Sequence, residues 1–409
     1  AAVVVRPRGR LRRPGCVVRL CRPARSGGRA ATVGRHSEAV GWTIAELHER
    51  YRTGRTTPAE VVAEHLRRIA ARDPALHAFV SVPADTARAE AARPPAGPLH
   101  GVPVAVKELI DVAGAEVGFG SPAFAGRIAA ADATVVRRLR AAGAIIVGVT
   151  RSPEFGWSLS GRDEAAVVPV TNPWDPDRDP GGSSSGSAVA VAAGLAVAAL
   201  GTDTSGSLRL PPACCGVWGF KPGRATVDRT GVRLLTRSFD EVGPIARTAA
   251  DLIAVYRVIR DPGPRPAPAP PRTLLLSVPA DLHPDYREAL AATARRAAAL
   301  GWTVQETALP SAEAVWDDYL TVLFREAAEL EAAQAGPGGP RRDRYTAPVR
   351  AYLALGDRVA AAEYRRARRR LRAYAAGLRD RLRPGVLLLS PVVSGPGRPG
   401  PAGAEGAVD

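Results

Sequence analysis

Two glycine- and serine-rich runs bracket one stretch of small apolar residues, and this arrangement limits the folds open to the chain more than any other feature. The first run is Gly181-Gly-Ser-Ser-Ser-Gly-Ser187, and the second is Gly201-Thr-Asp-Thr-Ser-Gly-Ser207, followed by Leu-Arg-Leu-Pro-Pro212. Between them, Ala188 to Leu200 reads as a buried, alanine-rich helix. Alone, each run would pass for a flexible linker. A linker does not lead straight into a helix of small apolar residues and then recur behind it. Permissive backbones let a chain approach a reacting atom closely and aim several N–H groups at it. The pair describes the floor of a pocket.

A second feature is the scarcity of lysine. Of the 56 lysines and arginines, only Lys107 and Lys221 are lysines. Guanidinium stays protonated at any workable pH, whereas a desolvated lysine amine can be neutral and basic near pH 7. Lys107 closes the apolar run of Gly101-Val-Pro-Val-Ala-Val-Lys107, which reads as a buried strand. A strand-end lysine with its amine in water is the bland reading; the rarity of lysine here favours a titrating role. Lys221, in Gly219-Phe-Lys-Pro222, is expected to serve locally, in an ion pair or by packing its stem.

Lys107 in GVPVAVKELIDVAG, Ser183 in PGGSSSGSA and Ser207 in GTDTSGSLRLPP resemble the three motifs of the amidase signature family, in the same order and with the family's spacing of 24 residues between the serines. The likeness runs from about residue 42 to about 395 and is densest between Gly101 and Pro222. It implies an α/β fold, with a mixed central β-sheet flanked by helices on both faces, and no cofactor. Ser207 would be the nucleophile that forms an acyl-enzyme. Ser183, following a cis peptide bond, would bridge it to Lys107, the general base, neutral at rest. The chemistry has its own logic: a serine hydroxyl attacks poorly until a base takes its proton, and the same base must later protonate the leaving amine.

For the tetrahedral oxyanion the resemblance implies backbone N–H groups of Thr204, Ser205, Gly206 and Ser207. Ser205 stands where the family usually has glycine, which tolerates positive φ better, but the N–H is kept. Asp203 and Arg209 flank the nucleophile with opposite charges and are expected to form a structural ion pair; Ser184 is taken as a structural neighbour of the site. The segment Glu154-Phe-Gly-Trp-Ser-Leu-Ser160 would run along the acyl pocket, with Phe155, Trp157 and Leu210 as apolar lining. Such a lining favours hydrophobic or aryl-alkyl carboxamides over glutamine, at about 25 cal/mol per Å² buried. The alternative is that Phe155 and Trp157 are core residues.

Beyond the motifs the chain is less explicit. Its 409 residues, 46% of them hydrophobic, suffice for a core in one large domain or two. Residues 1–40 hold ten arginines against Glu38 and read as a disordered or non-native basic tail; methionine is absent throughout, which points to a translated fragment of a GC-rich genome. Contact of that tail with nucleic acid or anionic lipid is the other reading. The amidase domain is expected over 41–395, with a catalytic stretch at 98–260, a Pro-rich hinge at 262–271, a C-terminal part at 272–395 and a Gly/Pro-rich tail at 396–409. Val386-Leu-Leu-Leu-Ser-Pro391 resembles the family's penultimate core strand, so the fold is expected to lack its usual C-terminal part.

Local signals are clear in places. Thr57-Pro-Ala-Glu60 is a capping box with proline at the first helical position. Thr134 to Ala142 reads as a helix feeding a strand from Ala144 to Val149, and Thr273 to Val278 as a strand before a helix near Tyr286 to Leu300. No apolar run is long enough to span a membrane. Cys16, Cys21, Cys214 and Cys215 lack zinc-ligand spacing, so no metal is expected. The six histidines show no Ser–His–Asp pattern, and His100 is expected at a strand end. The stripe Arg365-Arg-Ala-Arg-Arg-Arg370 is expected to be a solvated helix face.

The reading that follows is a cytoplasmic amidase acting on a small-molecule amide, without nucleic acid or membrane partners and compatible with a homodimer. One alternative is the amidase subunit of the glutamyl-tRNA(Gln) or aspartyl-tRNA(Asn) amidotransferase, which typically has glutamine where this chain has Leu210. The other is a truncated, non-catalytic fragment.

Overall fold

Burial along the central strands sets the architecture. The strands are β1 (Phe79–Ser81), β2 (Pro103–Lys107), β3 (Ile145–Thr150), β4 (Ala198–Asp203), β5 (Trp218–Gly219), β6 (Glu241–Ala246), β7 (Thr273–Leu276), β8 (Thr303–Glu306) and β9 (Val386–Leu389). The helices are α1 (Ile44–Arg52), α2 (Pro58–Leu76), α3 (Ala84–Ala91), α4 (Thr134–Ala141), α5 (Ser185–Ala192), α6 (Leu210–Cys215), α7 (Ala249–Ile259), α8 (Pro284–Ala299), α9 (Trp316–Ala335), α10 (Ala347–Arg358) and α11 (Ala361–Arg381). The computed structural model describes residues 41–93, 97–263, 272–335 and 342–393. The expected basic tail at 1–40, residues 264–271 of the hinge, the tail at 396–409, and Cys16 and Cys21 lie outside the described residues, as does any core strand following Pro391.

Six strands form a mixed sheet in the order β1-β3-β2-β4-β6-β5. β2 runs parallel to both β3 and β4, while β6 runs antiparallel to β4. Val104, Val106, Ala198, Leu200, Val242 and Ala246 face one core with α4 and α7. Ala105, Ala199 and Ile245 face a second core with α2, α3, α5 and α6. Helices on both faces explain why β2, β4 and β6 are buried along their whole length. The expected mixed sheet, covered on both faces, is the fold of this chain.

The helix expected from Ala188 to Leu200 is two elements. α5 ends at Ala192, Gly194 turns the chain at φ +68°, and β4 begins at Ala198. Alanine favours helix, but Val104, Ala105 and Val106 offer a parallel edge on which Ala198, Ala199 and Leu200 pair in register. Filling the slot between β2 and β6 outweighs local propensity. Other local readings hold: the Thr57 box caps α2 with Pro58 in its first turn, and α4 and β3 fall within a residue of their expected bounds.

A second, parallel sheet of order β8-β7-β9 is packed by α8 through Tyr286, Leu290 and Ala294. Helices α9 and α10 return to the main sheet. The buried carboxylate of Glu154, just after β3, accepts from the Thr346 N–H at 2.8 Å and its hydroxyl at 2.5 Å, fixing the entry to α10.

Small residues let α5 lie close to the strands. A Cβ at Gly186 would meet the Ala78 carbonyl oxygen at 2.3 Å and the Arg151 nitrogen at 2.7 Å, both backbone atoms that cannot yield. Gly186→Ala is therefore expected to destabilise the protein by about 1–3 kcal/mol through overpacking. Urea titration checks this, and a variant as stable as the wild type would contradict the packing described.

Candidate active site

Three segments converge at the carboxyl ends of β2 and β4. Lys107 is the last residue of β2 and shares the face of Ala105, against which α5 packs. Ser183 and Ser184 lead into the N-terminus of α5, and a cis peptide bond joins Gly182 to Ser183, as expected. β4 ends at Asp203 and opens into the loop carrying Ser207.

The side chains form a continuous path. Lys107 Nζ lies 2.7 Å from Ser183 Oγ, and Ser183 Oγ lies 3.0 Å from Ser207 Oγ. Nζ also donates to Thr202 Oγ1 at 2.8 Å and lies 3.3 Å from Ser184 Oγ. Lys107, Ser183 and Ser207 are 0%, 2% and 3% exposed, so the path is shielded from bulk water. Burial pulls the Lys107 amine down to about 7, against the opposing charges of Asp240, Asp203 and Glu108. Among the described residues no carboxylate forms an ion pair with it. An arginine here would remain charged; the lysine can be neutral.

The Ser207 loop is held from within by Asp203. Its carboxylate accepts from the N–H groups of Gly206 (2.9 Å) and Leu208 (3.0 Å) and from Arg209 Nε (3.0 Å) and Nη2 (2.9 Å). The ion pair expected of Asp203 and Arg209 is present. It also corrects the reading of Gly206, whose N–H is already taken. The N–H groups of Thr204, Ser205 and Ser207 meet no acceptor among the described residues. Ser205 does not adopt a positive φ, which Gly206 does at +134°, so serine is unstrained there. Ser184 joins the site to the sheet: its hydroxyl donates to the Thr202 carbonyl at 3.1 Å and accepts from the Thr202 N–H at 3.3 Å.

Several site residues escape sequence reasoning. Thr202 lies inside a quoted motif, yet only the pairing of β2 with β4 brings its hydroxyl to Lys107. Asp240, buried just before β6, accepts from the Thr204 hydroxyl (2.8 Å), the Leu235 N–H (2.6 Å) and the Thr236 N–H (3.1 Å). An acidic residue opening an apolar strand was the available signal. Glu108 accepts from the Ser152 N–H at 2.7 Å, and burial raises its carboxyl to about 7.

The expected apolar lining is only partly there. Phe155 is a core residue, edge-on to Phe124 and Tyr345 with centroids at 5.9 and 5.0 Å. Leu210 opens α6 and is buried among the residues under α5, where it offers no face to a substrate. Trp157 is half-buried and stacks on Tyr352 at 4.8 Å and Phe324 at 6.0 Å. The segment does run against the site, through backbone: a Cβ at Gly156 would lie 3.1 Å from Ser183 Oγ. His100 packs near Tyr51, away from these groups. In the arginine stripe Arg365, Arg366, Arg369 and Arg370 are exposed, as expected of a solvated face, and Arg370 also pairs with Asp318.

Side chains gathered at the carboxyl ends of parallel strands are typical of α/β enzymes. The chain belongs to the Amidase family, whose profile matches residues 60–399. It is 39% identical over 333 residues to a glutamyl-tRNA(Gln) amidotransferase subunit from Symbiobacterium thermophilum, covering 72% of this chain and 68% of that protein. Identity to the protein of the same name from Anaeromyxobacter sp. is 47% over 215 residues, 51% of this chain and 44% of the relative. Apart from the first, the chain spans about half the length of such curated relatives. Among solved structures, an amidase superposes with a TM-score of 0.77 at 32% identity, over 88% of this chain and 83% of that one. The peptide amidase of Stenotrophomonas maltophilia superposes with a TM-score of 0.73 at 30% identity, over 83% and 80%.

The lowered Lys107 value has a measurable consequence for stability. The amine of the unfolded chain keeps its proton up to its ordinary 10.5, that of the folded chain only to about 7. Between these values the unfolded state binds more protons, so stability rises with pH across the window. Lys107→Met removes this slope. The melting temperature of the variant minus that of the wild type should be most positive near pH 7 and fall toward pH 10. A difference independent of pH in calorimetry would mean that the amine is not depressed.

Proposed function

We propose that the chain is an amidase that hydrolyses the C–N bond of a carboxamide through an acyl-enzyme on Ser207. The observation that carries this reading is the path of short contacts from Ser207 through Ser183 to a buried amine, Lys107, that can be neutral. Lys107 takes the Ser183 proton as Ser183 takes that of Ser207, and Ser207 Oγ attacks the carbonyl carbon. The oxyanion faces the open N–H groups of Thr204, Ser205 and Ser207, on a loop that Asp203 and Asp240 hold before the reaction begins. Collapse breaks the C–N bond, and the proton held on Lys107 returns through Ser183 to the departing nitrogen. Water then attacks the ester by the same route, releasing the carboxylic acid and free Ser207.

For the substrate, the partly buried aromatic residues beside the loop are the available guide. Leu235, Leu323 and Ala327 cluster with Trp157, Phe239, Tyr319 and Phe324. This supports hydrophobic or aryl-alkyl carboxamides over small polar ones. A second reading rests on the curated relatives, at 39–48% identity, which are named as glutamyl-tRNA(Gln) amidotransferase subunits. On that reading ammonia from glutamine passes to a partner protein.

Lys107→Ala should lower kcat by about 10²- to 10⁴-fold while substrate still binds, and a fluorophosphonate should label Ser207 stoichiometrically. Undiminished turnover by the variant would refute the mechanism. Across aliphatic, aromatic and polar amides, kcat/KM should rise with apolar acyl surface. A series led by glutamine, with activity stimulated by partner proteins and misacylated tRNA, would favour the second reading instead.

A further inference from the structure

The loop that carries the open N–H groups is fixed at its ends and reached from outside at its middle. Asp203 holds Gly206 and Leu208, and Asp240 holds the Thr204 hydroxyl. Ser205, between these anchors, points outward, and its hydroxyl is hydrogen-bonded to that of Tyr319 on α9. A residue without a hydroxyl at 205 could not make this bond.

Tyr319 is itself well fixed. Its ring packs on Phe239 and Trp316, with centroids at 5.0 and 5.5 Å. Its neighbour Asp318 takes Arg370 Nε of α11 at 2.6 Å. Two turns along α9, the Glu326 carboxylate accepts from the Ser238 N–H at 2.8 Å and the Ser238 hydroxyl at 2.5 Å. Ser238 lies two residues before Asp240, so the helix that reaches Ser205 is tied to the same segment that supports Thr204. The loop and α9 form one frame.

We propose that Tyr319 is a positioning residue for oxyanion stabilisation: through the Ser205 hydroxyl it sets the direction of the backbone N–H groups of Thr204 and Ser205. An amide donor stabilises a developing oxyanion only when aimed at it in advance. The Asp203 carboxylate fixes the peptide plane after Ser205 and Asp240 holds the Thr204 side chain before it, and the bond to Tyr319 restrains the peptide between them. Tyr319 thereby acts on the chemical step without touching the reacting atoms. The inference rests on the reading of Ser207 as the nucleophile.

A fluorophosphonate probe reports this directly, because its phosphonyl oxygen develops charge where the oxyanion would lie and no natural substrate need be known. Inactivation kinetics of the full chain, separated into KI and kinact, are compared for wild type, Tyr319→Phe, Ser205→Ala and the double variant, with melting temperatures alongside. Each single variant should lower kinact about tenfold, less than the roughly 10²- to 10³-fold effect of losing an oxyanion donor outright, with KI unchanged. The double variant should be no slower than either single one, since both remove the same bond. Losses that multiply in the double variant, or a wild-type kinact in Tyr319→Phe, would overturn the inference while leaving Ser207 as nucleophile. A change in KI and melting temperature with kinact preserved would make the contact a docking feature of α9 and overturn it too. Failure of the wild type to label at Ser207 would remove the underlying reading, a result distinct from the others.

Discussion

Desolvation of one amine governs the design of this protein. Lys107 is fully buried where β2, β4 and the entry to α5 meet, and its surroundings supply hydroxyls rather than a carboxylate partner. A charged ammonium in that position would be costly, and the amine is accordingly lowered to about 7. The surrounding fold serves this condition. Strands with helices on both faces exclude water from the end of β2, and the small side chains of α5 let Ser183 and Ser184 come within hydrogen-bonding reach. The carboxylates that oppose the effect, Asp240 and Asp203, are occupied in holding backbone and hydroxyl donors of the loop.

Much of this was legible because the chemistry constrains residue types. A lone lysine after an apolar strand, and serines in glycine-rich runs, are hard to explain otherwise. The resemblance they carry correctly anticipated the mixed sheet and the cis bond before Ser183. What composition could not reveal depended on partners distant in sequence. The Ala188–Leu200 stretch reads as one helix because alanine favours helix until a slot between β2 and β6 demands a strand. Position in the motifs suggests Phe155 and Leu210 as pocket lining, with a core role open for Phe155, because an apolar residue type does not say which core its side chain enters.

The loop around Ser207 illustrates the same limit in polar groups. The resemblance implies four N–H donors there, and the folded loop gives one of them, that of Gly206, to the Asp203 carboxylate. The Asp203 carboxylate thus does two things at once, neutralising Arg209 and rigidifying the turn. Thr202 reaches Lys107 through the register of β4 on β2, which no local pattern encodes, and Asp240 reaches Thr204 across 36 residues of intervening chain.

The tie between Glu154 and Thr346 spans 192 residues. During synthesis at about 5–20 residues per second, Glu154 would wait on the order of 10–40 s for its partner to be made. Through that interval the neighbouring Gly156, whose backbone abuts Ser183, has no α10 to hold its segment in place. The three motif residues all precede position 208, yet the wall beside them is completed only by chain made much later. An emerging polypeptide would carry all three motif residues well before it carries the helices that complete the wall beside them.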